Sequence, residues 1–219
     1  MTSIILTCFN NSRFNAHMSM ACIANITKFT DPEDYELIVM NPVPKFPIRD
    51  DYNVLKVDKY FNLPNDPGYT VCMNLGAQVA RGEYLVFIQN DVFVHEGWLP
   101  GLRQYIEQGY DAVFPDQVPR SREYVKATYN RDSFDQESMR GGRDAGLMMI
   151  TKKHFEEIGR WNENLSLLAE QDLYKRLGKW TDTNKTIITH IMAGTNLQLL
   201  DNDPEEYDRK MEEDAQRTN

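Results

Sequence analysis

The chain has 219 residues, of which 41% are hydrophobic and 26% charged, with a formal net charge of −9. That balance is ordinary for a globular protein able to bury roughly 70% of its unfolded surface, and the acidic excess argues against a general attraction to phosphate backbones. No apolar run is long enough to span a bilayer, residues 1–9 lack the basic start and cleavage region of a secretory signal, and Cys8, Cys22 and Cys72 have no close pairing motif. The expectations are a cytoplasmic protein with buried free thiols, and neither a disulfide framework nor a cysteine zinc site.

In chain order, residues 4–9 read as a strand and residues 15–29 as a helix, with Met18, Cys22 and Ile26 four apart on one face. Residues 36–40 and 53–57 read as further strands on either side of a proline-rich loop at 41–51. A helix over 70–81 stops at Gly82, and the run YLVFI at 84–88 is a short buried strand that Gln89-Asn90-Asp91 breaks abruptly. A helix at 98–108 and a short strand at 111–114 follow. Such alternation predicts an α/β fold with a doubly wound, mainly parallel sheet. Ligands in such sheets collect outside the carboxyl ends of strands, so Asp91 stands where a ligand or a metal would be met.

Residues 115–144 interrupt the rhythm. They are polar, close on Gly141-Gly142, and predict a long loop with small local elements that either covers a donor or binds an acceptor, or is a plain surface loop. The same stretch carries a local basic patch, Arg120, Arg122, Lys126, Arg131, Arg140 and Arg143. Residues 186–191, TIITHI, read as a late strand, and the acidic tail from Asp203 as a solvated helix or a disordered end, with a partner-binding arm as the alternative. The expected organisation is one domain over 1–200, with halves at 1–114 and 115–200, followed by an acidic tail at 201–219.

Several segments, in order, resemble the family-2 glycosyltransferases, which have the GT-A fold. SIILTCFNN at 3–11 is similar to that family's opening strand, and Asn74, Gly76, Ala80, Gly82 and Glu83 fall as in the segment before its DxD-like motif, here QND. AGLMMITKKHFEEIGRWNENL at 145–165 resembles its acceptor-side strand and helix, AEQDLYKRL at 169–177 its catalytic helix, and HIMAGTN at 190–196 its histidine-containing ending. Three departures stand out. Gln89 replaces the first Asp of the metal motif, Asn41 stands at the second strand exit where an Asp often reads the base, and Ala169-Glu170 replace a Glu-Asp pair.

The resemblance implies sugar transfer from a nucleoside-diphosphate sugar to an acceptor hydroxyl, with inversion and with Mn²⁺ or Mg²⁺. Asp91 would supply a carboxylate to the cation and His190 an imidazole, a ligand that suits Mn²⁺ better than Mg²⁺. Thr7, Phe9, Asn10, Asn41, Asn74 and Asn90 are the candidate nucleotide-binding residues, and Glu170 and Asp172 the candidate catalytic pair. Either Glu170 takes the acceptor proton and Asp172 holds the acceptor or supports the helix start, or Asp172 is the base; Arg176, four residues on, can pair with Asp172. The acceptor expected from the family is a saccharide or a lipid-linked saccharide, with a hydroxylated DNA base as a further option. The competing readings are a nucleotide-binding module without catalysis, since Gln89 weakens the metal site, and a nucleic-acid-binding protein that uses residues 115–143.

Overall fold

The computed structural model describes residues 1–42, 45–46, 55–117, 146–190 and 203–217. Its first half alternates β1 (Thr2–Thr7), α1 (Arg13–Phe29), β2 (Tyr35–Asn41), β3 (Lys59–Asn62), α2 (Tyr69–Val79), β4 (Tyr84–Gln89), β5 (Val92–Val94), α3 (Trp98–Glu107) and β6 (Ala112–Gln117). Beyond residue 145 come β7 (Leu147–Thr151), α4 (Lys152–Glu157), α5 (Ala169–Arg176), β8 (Trp180–His190) and α6 (Pro204–Arg217). The strands form one sheet in the order β3-β2-β1-β4-β7-β6-β8-β5. Its first four strands are parallel, β7 runs antiparallel to both β4 and β6, β6 and β8 are parallel, and β5 is antiparallel to β8.

The inner strands read as unbroken apolar runs because both faces of the sheet are covered. Ile4, Leu6, Leu37, Val39, Val86 and Ile88 share one cluster with Cys22, Ile23 and Ile26 of α1 and Trp98, Leu99 and Leu102 of α3. Ile5, Ile38, Leu85 and Phe87 face the other way, among Met73 of α2, Phe155 of α4 and Leu173 of α5. Each fully buried aliphatic side chain contributes roughly 1.5–3 kcal/mol, so these two layers hold the strand exits in place. Close approach of α2 to β1 depends on Gly76, where a Cβ would collide with Ile5 Cγ2.

Three expectations about elements change. The third strand is Lys59–Asn62, while Leu55–Val57 lie outside any strand and residues 53–54 outside the described set. Pairing with β2 sets it, since the register matches Ile38 with Lys59 and Asn41 with Asn62. This edge strand is half-buried at most, so it lacks the apolar alternation that marks a core strand. β8 begins at Trp180, well before residue 186, because its polar first half pairs with β6. The tail forms α6 and is not solvated all round, because Asp214 is buried.

The basic patch and most of the loop expected at 115–144 fall in residues 118–145, outside the described set; Pro115–Gln117 continue β6. Residues 191–196 and most of the proline-rich stretch at 41–51 also lie outside it. Among the described residues no helix is long and apolar enough to cross a membrane.

Candidate active site

The site grows from the two-residue link between β4 and β5. These strands lie far apart in the sheet order, so the chain must turn out of the sheet at Asn90-Asp91. Helix α1 anchors that turn: the Cys22 thiol lies 3.2 Å from the Val92 carbonyl and 3.7 Å from that of Gln89. Burial, with the nearby Cys8 and Asp91 adding to it, pushes the Cys22 thiol well above its usual range. Burial likewise pushes Cys8 and Cys72 up to about 12, so all three remain buried, protonated free thiols, as expected.

β8 supplies the opposite wall. Its register pairs Val92 with His190, so the last residue of an eleven-residue strand arrives beside Asp91. His190 Nε2 lies 3.2 Å from Asp91 Oδ1, and both side chains are buried. Among the described residues, neither Asp91 oxygen accepts a hydrogen bond. A buried carboxylate left without donors is costly unless a cation or another ligand completes its surroundings. Gly146 makes room for the imidazole: a Cβ there would stand 2.7 Å from His190 Nδ1.

One carboxylate and one imidazole make a donor set suited to Mn²⁺, with coordination positions left for diphosphate oxygens and water. Among the described residues no group of three or more His, Cys, Asp or Glu side chains is arranged to hold a metal ion. Asp91 and His190 are therefore compatible with a cation shared with a ligand.

A hydrogen-bonded chain lines the β1 side. Asn90 Nδ2 donates to Ser19 Oγ at 2.9 Å, and Ser19 Oγ donates to Asn10 Oδ1 at 2.8 Å. Asn10 is fully buried, and its Nδ2 has no acceptor among the described residues. Asn41 is the mirror case: its Nδ2 donates to Tyr60 Oη and Asn62 Oδ1 at 2.8 and 3.1 Å, and its buried Oδ1 has no donor among the described residues. Thr7, opposite Gln89 in the β1–β4 register, donates to Met73 Sδ, and Phe9 is half-buried just beyond it.

The remaining candidates separate. Glu170, in the first turn of α5, receives a hydrogen bond from Gln89 Nε2 at 3.4 Å, so α5 and the β4 exit meet at these two side chains. Asp172 turns elsewhere: its Oδ2 accepts from Arg176 Nη2 and Nε at 2.5 and 3.1 Å, while Arg176 Nη1 donates to the carbonyls of Ile158 and Arg160. Asn74 closes on the loop after α4, donating to the Trp161 carbonyl and Glu163 Oε1 and accepting from Trp161 N–H. Its amide is engaged within the protein on both sides, unlike those of Asn10 and Asn41. Among the other histidines, His17 is exposed, His95 pairs with Thr189, and His154 lies near Asp111 and Glu157.

Sequence reasoning missed Ser19, Tyr60, Asn62 and Gly146, whose roles depend on contacts between distant elements. Gln89 could have been found, since its place in the metal motif already aims it at the cleft.

The sequence profile described as glycosyl transferase family 2 matches residues 3–202. Among solved structures, GalNAc-T7 with UDP, GalNAc and Mn²⁺ superposes with a TM-score of 0.65 at 15% identity, covering 87% of this chain and 43% of that one. The chain thus spans less than half the length of that protein. TarS from S. aureus, residues 1–349, gives a TM-score of 0.65 at 13% identity over 97% of this chain and 69% of its own. A longer TarS structure gives 0.63 at 13% identity over 96% and 42%. No curated protein sequence matches the chain significantly. At these identities the structural likeness speaks for a shared GT-A fold.

Proposed function

The chain belongs to glycosyl transferase family 2 and is a glycosyltransferase, and from that premise we propose metal-assisted, inverting transfer from a nucleoside-diphosphate sugar to an acceptor hydroxyl. The observation that carries the metal and donor site is Asp91, buried at a strand exit beside His190, with neither oxygen accepting a hydrogen bond among the described residues. Asp91 and His190 would hold the cation, and a divalent ion there supplies charge neutralisation for the departing diphosphate. Nucleotide recognition falls to Asn41 Oδ1, an acceptor, and Asn10 Nδ2, a donor, both buried at neighbouring strand exits. Uracil offers both the N–H and the carbonyl that such a pair would take. The GalNAc-T7 structure contains UDP and Mn²⁺, which supports trying that combination first.

Glu170 is the proposed base. Its carboxylate takes the proton of the acceptor hydroxyl as that oxygen attacks the anomeric carbon opposite the leaving diphosphate. Gln89, standing in for the family's first Asp, donates to Glu170 and orients it without adding a like charge. The acceptor assigned is a saccharide or lipid-linked saccharide, and a hydroxylated DNA base is the competing acceptor. Ligands that bind only the folded state raise its melting temperature. UDP with Mn²⁺ should therefore raise the parent's Tm by several degrees more than UDP alone, and Asp91→Asn should remove the metal-dependent part; an unchanged increment in Asp91→Asn would defeat the assignment.

A further inference from the structure

Among the described residues of the acidic tail one carboxylate, Asp214, is fully buried, and it faces the start of α5. Asp214 on α6 accepts at Oδ2 from three consecutive backbone N–H groups, Ser166, Leu167 and Leu168, at 2.8, 2.6 and 2.9 Å. Convergence of three donors on one charged oxygen fixes the backbone of that stretch. Leu168 is the N-cap of α5 and makes no side-chain capping hydrogen bond, so the helix start takes its support from elsewhere in the fold. One turn away on α6, Arg217 Nη1 donates to the Asn164 carbonyl at 2.7 Å. From the other side, Thr70 of α2 donates to the Leu165 carbonyl and Asn74 holds Trp161. The loop leading into α5 is thus held by α2 and α6 together, and Glu170 follows Leu168 by two residues.

We propose that Asp214 is a positioning residue for glycosyl transfer: through the 166–168 backbone it sets the first turn of α5 and so places the Glu170 carboxylate against Gln89. This rests on Glu170 being the base. A tail that packs merely for stability would lower the melting temperature and leave turnover of the folded enzyme alone. A tail that aims Glu170 affects kcat, because misplacing a reacting group by about 1 Å costs on the order of 100-fold.

The test uses the full chain with Mn²⁺ and UDP-glucose, UDP-GlcNAc and UDP-GalNAc, with water as the attacking acceptor, following UDP release at a temperature where each variant is folded. Asp214→Ala should lower kcat roughly 10- to 100-fold with donor KM changed less than about twofold, and should speed amide exchange at 166–170. Asp214→Asn, which keeps an acceptor oxygen in place, should recover part of the loss, and Glu212→Ala, on the exposed face of α6, should match the parent. If Asp214→Ala does not fold, Asp214→Ser carries the same expectation with a shorter acceptor. Parent-like kcat in the Asp214 variants alongside a crippled Glu170→Gln overturns the positioning role and leaves the base standing; parent-like kcat in Glu170→Gln overturns both.

Discussion

Glu170 and Asp172 sit two positions apart on α5, about 200° around a helix of 3.6 residues per turn, so their carboxylates leave the helix in different directions. The fold resolves which faces the strand exits: Glu170 meets Gln89, while Asp172 locks Arg176 against the carbonyls that end α4. Glu170→Gln should lower single-turnover transfer by roughly two to four orders of magnitude while donor affinity stays put. Asp172→Asn should instead cost about 1–2 kcal/mol of stability, because the Arg176 guanidinium loses its charged partner. Transfer rates and urea midpoints for both variants separate the roles. A collapse of transfer in Asp172→Asn with Glu170→Gln nearly intact would move the base to Asp172.

At the scale of elements, Glu36 joins four of them. Lying at the start of β2 and 1% exposed, it accepts from Ser3 Oγ of β1, from Lys59 of β3 and from the backbone and side chain of Arg81 just after α2. Burial alone would raise its pKa, but these donors and cations together outweigh that and bring it down to about 2. A carboxylate whose folded pKa is depressed stabilises the fold above its unfolded value, near 4.5, and loses that contribution as pH falls towards 2. The amount at neutral pH is roughly 3 kcal/mol. Glu36→Gln should accordingly melt well below the parent at pH 7 and approach it between pH 4.5 and 2; a gap that stays constant with pH would show that the charge is not what matters.

At the scale of the whole molecule, the expected halves at 1–114 and 115–200 share one sheet, since β7 inserts between β4 and β6 and β8 lies between β6 and β5. No sheet edge separates them, so a break in one half exposes the core of the other. Thermal unfolding followed by far-UV and near-UV circular dichroism should give one coincident transition. Two separated transitions would mean that the halves fold independently.

The α/β class, the strand at 84–88 and the exit carboxylate Asp91 were legible in the sequence, because burial on both faces leaves an unbroken apolar run and the first polar residues after it mark the strand's end. The order of motifs likewise points to the family whose profile matches residues 3–202. Pairings between distant segments were not legible. That His190 reaches Asp91 follows from the β5–β8 register, and that Glu170 and Asp172 part company follows from how α5 docks on the sheet. The buried role of Asp214 was hidden among acidic neighbours that look alike in one dimension. Periodicity and turn chemistry are local properties and so are written along the chain, whereas a site is built from contacts between distant residues, which exist only once the sheet has closed.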